Sequence, residues 1–202
     1  MDAEEWDQRY ADQELVWSAE PNQFVAAECA DLPPGRAVDL AAGEGRNAIW
    51  LARRGWQVTA VDFSRVALDK GRRLAGGTEV DWVRADAITW HGEGFDLAVV
   101  AYLQLPEVER RAAARGAVEA LRPGGTFLWV AHDSSNIEDG SGGPQDPAVL
   151  MTAADVVGDV EDLGVEVQRA ERVARVVAPG GDHRMGDTGE IAWDCLVRAV
   201  RV

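Results

Sequence analysis

Val38-Asp39-Leu40-Ala41-Ala42-Gly43-Glu44-Gly45-Arg46-Asn47-Ala48 decides the fold. Ala37 to Leu40 is a short apolar strand. It runs into a glycine loop, and a helix follows with Ile49 and Ala52 on one face. That helix stops at Arg53-Arg54-Gly55, with cations in the last turn and glycine beyond it. A strand, a glycine loop and a helix in succession put the loop at the carboxyl edge of an open sheet, where ligands of such sheets bind. The glycines remove Cβ atoms where a ligand comes close to the backbone. A plain tight turn gives the same pattern, so the loop alone leaves both readings open.

Outward from this loop the pattern repeats. Gln57 to Asp62 is a second strand, and Ala67, Gly71 and Leu74 give the next helix its face. Val80 to Arg84 is a third strand. Phe95 to Ala101 is a fourth, apolar enough for burial on both faces. Pro106 opens a helix with Ala114, Ala117, Val118 and Leu121 inward, and Thr126 to Ala131 is the fifth strand. Residues 132–147 are polar and rich in Gly and Pro, a long loop of the kind that covers a site. Thr152-Ala153-Ala154-Asp155 reads as a capping box opening a helix. Val165 to Ala170 and Ile191 to Val202 then pair as an antiparallel hairpin. The expectation is one α/β domain over 1–202, a doubly wound, mostly parallel seven-stranded sheet closed by that hairpin. Within it, 1–30 forms a helical cap, 31–131 the ligand-binding core, and 132–202 the lid loop, last helix and hairpin.

Composition narrows the function. The 202 residues carry 20 Lys plus Arg against 35 Asp plus Glu, a formal charge of −15, and Lys70 is the sole lysine. Such a chain is a poor partner for a phosphate backbone or an anionic membrane, so neither nucleic acid nor membrane is expected. Hydrophobic content of 47% excludes a disordered chain. The acidic start, Met1-Asp2-Ala3-Glu4-Glu5, is unlike a signal peptide, and Cys29 and Cys195 form neither a disulfide framework nor a metal spacing. A cytoplasmic protein without metal is expected.

Asp39, Asp62 and Asp86 stand at or just past the ends of three strands, 23 and 24 residues apart. Neighbouring strands lie about 5 Å apart, so the three carboxylates crowd one rim. Three like charges with no cation beside them are unfavourable unless the ligand brings donors or positive charge. Gly43-x-Gly45-x-x-Ala48 formally matches the dinucleotide fingerprint. A pyrophosphate there would meet Glu44 and Asp39. S-adenosylmethionine has no phosphate, and its ammonium, ribose diol and adenine amino group are donors that match carboxylates. Asp39 is then expected near the methionine end, Asp62 on the ribose, and Asp86 with Ala87 on adenine.

With these residues in view, the chain resembles the class I S-adenosylmethionine-dependent methyltransferases, in the small-molecule branch with tellurite-resistance and thiopurine methyltransferases. The resemblance rests on Trp6-Asp7-Gln8-Arg9-Tyr10, the Asp39 to Asn47 loop, Val61-Asp62-Phe63-Ser64, Ala85-Asp86-Ala87, Phe95-Asp96-Leu97 and Leu121-Arg122-Pro123-Gly124-Gly125. Ala41-Ala42 departs from the Gly-Cys or Gly-Ser of many relatives. The resemblance implies the Rossmann-like methyltransferase fold and methyl transfer from S-adenosylmethionine to a heteroatom (S, O, N or chalcogen) of a small molecule. It implies a cofactor site of Trp6, Arg9, Tyr10, Asp39, Ala41, Gly43, Gly45, Asn47, Asp62, Phe63, Asp86, Ala87 and Ala101. Trp17 joins Trp6 in the segment folding over that site, and Asp96 is structural. Ala101-Tyr102-Leu103-Gln104 should border the transferred methyl and lacks the signature of nucleic-acid amino methylation. Tyr102 and His132 are the expected catalytic residues, His132 as a general base; His91 and His183 are weaker candidates. The loop Gly180 to Met185 is a possible second wall. Trp50, Trp56, Trp82, Trp90 and Trp129 are expected in packing. The competing readings are an NAD(P)-binding oxidoreductase, a non-catalytic S-adenosylmethionine-binding module, and a methyltransferase acting on a basic protein.

Overall fold

The computed structural model describes residues 3–16, 18–177 and 189–202. Helices α1 (Ala3–Ala11) and α2 (Gln23–Cys29) precede the repeating unit. Strand β1 (Arg36–Leu40), α3 (Arg46–Arg53), β2 (Gln57–Asp62), α4 (Arg65–Ala75), β3 (Asp81–Arg84), β4 (Phe95–Ala101), α5 (Glu107–Ala120) and β5 (Leu121–His132) follow. A short α6 (Asn136–Asp139), α7 (Ala153–Val160), β6 (Val165–Val176) and β7 (Ile191–Arg201) complete the chain. The seven strands lie in the order β3-β2-β1-β4-β5-β7-β6. β1 to β5 are parallel, and β7 runs antiparallel to both β5 and β6.

Local chemistry sets the helix limits. The Ser64 side chain accepts from Ala67 N, and α4 ends in left-handed Gly76. Thr152 and Asp155 form the reciprocal capping box of α7. Asn22 accepts from Phe24 N and Val25 N to start α2. The two sheet faces bury separate layers. Val38, Leu40, Val100, Phe127 and Trp129 pack with Ala114, Ala117 and Val118 of α5 and Val156 and Val160 of α7. Ala37, Leu97, Val99 and Leu128 pack on the other side with Val25 of α2 and Leu51 of α3. Each fully buried Val, Leu or Phe contributes about 1.5–3 kcal/mol, so these layers hold the strand ends in register. α5 and α7 are further clamped by Asp159, which takes Arg110 Nε at 2.7 Å and Arg111 Nε at 3.1 Å.

The expected fold class, sheet and terminal hairpin are present. Three boundaries differ. β5 begins at Leu121, five residues before Thr126, because Arg122-Pro123-Gly124-Gly125 stays in the strand as an irregularity, with pairing shifted between Phe95 and Leu97. β6 runs on to Val176. The first thirty residues hold two short helices, and the stretch between them is pinned by Lys70, whose Nζ donates to the carbonyls of Gln13 and Glu14.

Candidate active site

β1 and β4 are neighbours, yet their crossovers run to opposite sides, to β2 on one and β5 on the other. A crevice opens at such a switch point outside the carboxyl ends of the strands. Here it is a cleft of about 1000 Å³, at the upper end of ligand pockets and roomy enough for two small molecules. Its walls come from α1 (Ala3, Trp6, Arg9, Tyr10), the β1 loop (Ala41, Ala42, Arg46, Asn47), the ends of β2 and β3 (Asp62, Phe63, Asp86, Ala87, Ile88) and the end of β4 (Ala101 to Pro106). The far wall is His132 with Gly143, Pro144, Asp146 and Val149.

Backbone strain marks the same place. Ala41 and Tyr102 are the non-glycine residues with positive φ among those described, at 56° and 59°. Each directly follows a central strand, β1 or β4, and each lines the cleft. Left-handed backbone at a residue with a Cβ costs on the order of 1–2 kcal/mol and persists where the surroundings over-determine it. Gly would adopt that conformation without strain.

Asp62 closes the floor of the loop. Its Oδ2 accepts Gly43 N and its Oδ1 accepts Ser64 N, each at 2.8 Å. Burial pushes its carboxyl up to about 6, partly offset by those two bonds. Each oxygen keeps a further lone pair for a ligand hydroxyl. Asp86 is exposed at the end of β3 and turns Ile88 N onto its Oδ1 at 2.9 Å. Phe63, Ala87 and Ile88 beside them supply an apolar slot for a flat ring. Asn47 Oδ1 accepts Asn22 N at 2.9 Å and so ties the loop to the cap of α2.

Three expected cofactor residues lie off the cleft wall. Asp39 is 1% exposed and accepts Ala48 N at 3.1 Å, which anchors the first turn of α3. Burial lifts its carboxyl to about 7. Gly43 and Gly45 are buried and adopt φ of 57° and 76°. A Cβ on Gly45 would lie 2.3 Å from the Trp82 ring, so packing and the φ of 76° both call for glycine here. Glu44 also departs from the sequence expectation. It is buried, accepts Val16 N at 3.0 Å and faces Lys70 at 3.4 Å. Its charge is answered beneath the loop and is absent from the cleft lining. Nor is the rim free of cations, since Arg9 and Arg46 line the cleft with Asp62, Asp86, Glu109 and Asp146.

The N-terminal segment folds over the cleft as expected for Trp6, Arg9 and Tyr10. The Trp6 and Tyr10 rings lie 5.5 Å apart, and the Arg9 guanidinium sits 4.9 Å over Trp6. Asp7 fastens this helix by accepting the Ser64 hydroxyl and Val66 N. Asp96 lies at the opposite end of the sheet, binding Arg36 N at 2.7 Å and Arg122, a structural role. Trp17, His183 and the loop Gly180 to Met185 lie outside the described residues. His91 is absent from the cleft lining. Trp56 and Trp129 are buried, and Trp90 packs 5.8 Å from Phe95.

Of the two expected catalytic residues, Tyr102 presents its ring to the cleft, but its hydroxyl donates to Asp194 at 2.8 Å. Burial first, and then the Asp194 charge, raises the phenol well above its ordinary range. It remains protonated at neutral pH. His132 is 7% exposed and lines the cleft with its ring 4.8 Å from that of Tyr102. Asp194 and Arg175, absent from the sequence reading, complete this cluster: Arg175 Nε donates to Asp194 Oδ2 at 2.7 Å. The alternation of β7 put Cys195 inward and so hinted that Asp194 faces the other side of the sheet. Nothing in the local pattern indicated that this side too is covered. The segment 133–151 forms a pinned wall: Asn136 accepts Trp193 N at 2.7 Å, and Ser141 N donates to Ile191 O at 3.0 Å. Among the described residues no group of His, Cys, Asp and Glu is placed to hold a metal. No described helix is long and apolar enough to cross a membrane.

Residues 37–125 match the family model described as a methyltransferase domain. The chain is 39% identical over 116 residues to a demethylmenaquinone methyltransferase of Clavibacter sepedonicus, covering 56% of this chain and 46% of that protein. It is 31% identical over 113 residues to a ubiquinone/menaquinone biosynthesis C-methyltransferase of Desulfotalea psychrophila, covering 54% and 46%. It thus spans about half the length of these relatives. Among solved structures, TehB from Haemophilus influenzae superposes with a TM-score of 0.73 at 16% identity, covering 90% of this chain and 63% of that one. A structure described under the conversion of a disulfide bond into a thioacetal group during echinomycin biosynthesis gives 0.75 at 21% identity, covering 98% and 92%. Residues 37–125 are thus similar to a methyltransferase domain, and the chain shares the fold of these solved structures.

Proposed function

We propose that the protein transfers a methyl group from S-adenosylmethionine to a heteroatom of a small molecule bound in the same cleft. The observation that carries this reading is the pair Asp62 and Asp86, set at the ends of adjacent strands beside an apolar slot. Asp62, with a lone pair to spare on each oxygen, takes the ribose hydroxyls. Asp86 and Ala87 take the adenine edge between Phe63 and Ile88. Ala41, Ala101, Asn47, Arg9 and Tyr10 surround the methionine end. Gly43, Gly45 and Asp39 act through the loop, holding its shape. When bound, the cofactor supplies a methyl group on a positively charged sulfur. The chain contributes position and water exclusion, which suffice for much of an in-line displacement. Tyr102, Leu103, Leu105, Pro106, Pro144 and Val149 form the apolar acceptor wall, and His132 is the one described histidine on it.

The volume and closed wall favour a small acceptor over a protein or nucleic acid, and the net charge of −15 opposes a polyanion. A reducing, cytoplasmic setting fits the two buried free cysteines, and burial pushes the Cys29 thiol up to about 12. A second reading, methylation at carbon, is favoured by the similarity to the ubiquinone/menaquinone biosynthesis C-methyltransferase. Incubation with methyl-labelled S-adenosylmethionine and a panel of thiols, phenols, amines, chalcogen oxyanions and naphthoquinols tests both. Labelled product on sulfur, oxygen, nitrogen or chalcogen supports the first reading, and product on ring carbon the second. Binding of the cofactor with no transfer to any member of the panel would point to a non-catalytic module.

A further inference from the structure

The cluster behind the acceptor wall is buried, charged and built from three distant parts of the chain. Asp194, on β7, is 0% exposed. Its Oδ2 takes two donors, the Tyr102 hydroxyl at 2.8 Å and Arg175 Nε at 2.7 Å. Its Oδ1 lies 3.3 Å from His132 Nδ1. Burial acts to raise this carboxyl, but His132 and Arg175 outweigh it and hold it below the usual carboxylate range. Asp194 is therefore an anion at neutral pH and can only accept. A lone pair on Nδ1 would face a negative oxygen across 3.3 Å, so Nδ1 carries the proton and Nε2 is left as the basic atom. The ring is also held in place. Tyr102 packs on one side at 4.8 Å, and Gly143 approaches so closely that a Cβ there would lie 3.1 Å from Nδ1. The backbone strain at Tyr102, φ 59°, is the local cost of bringing its ring and hydroxyl to this cluster.

We propose that Asp194 is a positioning residue which, with Arg175 and Tyr102, fixes His132 as a general base, and that the acceptor is accordingly a neutral, proton-bearing phenol or thiol. Arg175 balances the Asp194 charge at 2.7 Å. A neutral acceptor X–H gives its proton to Nε2 as X bonds to the methyl carbon. Sulfur keeps the electron pair of the bond that breaks, and the imidazolium formed is stabilised by Asp194. An acceptor that is already an anion, such as a chalcogen oxyanion, or one without a proton, such as a tertiary amine, gains nothing from this arrangement. The inference rests on the cleft being the methyl-transfer site.

The test uses the full chain with a graded series of phenols and thiophenols. For weakly acidic phenols, His132→Gln is expected to lower kcat at least 100-fold, the usual scale of a positioned base. For 4-nitrothiophenol, already ionised at neutral pH, the loss should shrink to under tenfold. Asp194→Asn is expected to follow the same order with KM for S-adenosylmethionine unchanged, and calorimetry with S-adenosylhomocysteine should give wild-type affinity for both variants. Should Asp194→Asn not fold, nitrogen-15 NMR of the wild-type histidines decides the geometry: His132 should show the Nδ1–H tautomer. An Nε2–H tautomer, or an equal loss for weak and strong acids, overturns the proposal while leaving the cofactor reading intact. Loss of S-adenosylhomocysteine binding by the wild type would instead remove the reading on which it rests.

Discussion

Asp62→Asn separates binding from folding. The wild-type carboxylate takes Gly43 N and Ser64 N at 2.8 Å each. Asn keeps one acceptor oxygen and turns an amide N–H₂ toward the other donor, whichever way it is flipped. One charge-assisted bond is lost, about 1.5–3 kcal/mol. Against that stands the cost of the charge itself. Burial raises the carboxyl from 3.8 to about 6, so holding it ionised at neutral pH costs about 3 kcal/mol, which Asn does not incur. That cost is already net of the two bonds, so denaturation at neutral pH should find the variant at least as stable as wild type, by up to about 3 kcal/mol. Binding has no such compensation, because a ribose diol loses a charged acceptor. The dissociation constant for S-adenosylhomocysteine should rise about 10- to 150-fold, the equivalent of 1.5–3 kcal/mol. The pH profile carries the same signature with a definite sign. The ligand prefers the ionised carboxylate, so wild-type affinity falls as pH drops through about 6, approaching tenfold per pH unit below it. The variant should be flat over that range. Calorimetry on both proteins from about pH 5 to about pH 8 measures all of this. An affinity within twofold of wild type in a folded variant, or an unchanged pH slope, would refute the reasoning.

Asp39→Asn should flatten the pH dependence of stability in the ligand-free protein. The folded carboxyl sits near 7, above its unfolded value of 3.8, so its stabilising contribution is complete at low pH and is lost as pH rises through about 7; melting curves from mildly acidic to mildly alkaline pH show whether the variant loses that slope. Ala41→Gly relieves a left-handed residue at φ 56° and should stabilise by up to about 1 kcal/mol, after glycine's extra unfolded-state entropy; a destabilised variant in urea unfolding would show that Ala41 is not strained. Asp159→Ala strands the buried Arg110, whose side chain is 7% exposed, and should cost about 3–5 kcal/mol in the same assay; a loss under about 1 kcal/mol would mean that water or a nearby carboxylate such as Asp155 takes up its donors.

The sheet was readable because its signals are local. Each strand from β1 to β4 ends at a turn whose residues demand it, and the alternation Ile191, Trp193, Cys195, Val197 marked the last strand. Asp62, Asp86 and Phe63 could be placed at the cleft for the same reason: a strand end fixes the position of the next residue. The misplacements share a cause of another kind. Glu44 and Lys70 stand 26 residues apart, and their contact at 3.4 Å depends on how α4 packs under the loop. Gly45 packs against the Trp82 ring, which comes from β3 and which the loop sequence does not announce. Asp194 meets Tyr102 across 92 residues, and no spacing rule reaches that far. Charges in sequence therefore gave the rim its acids but not its pairing.

The central claim is that this cleft selects a phosphate-free, sulfur-bearing nucleoside. Competition calorimetry with S-adenosylhomocysteine, S-adenosylmethionine and NADH measures it in one experiment. The account predicts saturable one-to-one binding of both sulfur compounds, abolished together in Asp62→Ala, and no heat from NADH. Saturable NADH binding with neither sulfur compound bound would contradict it.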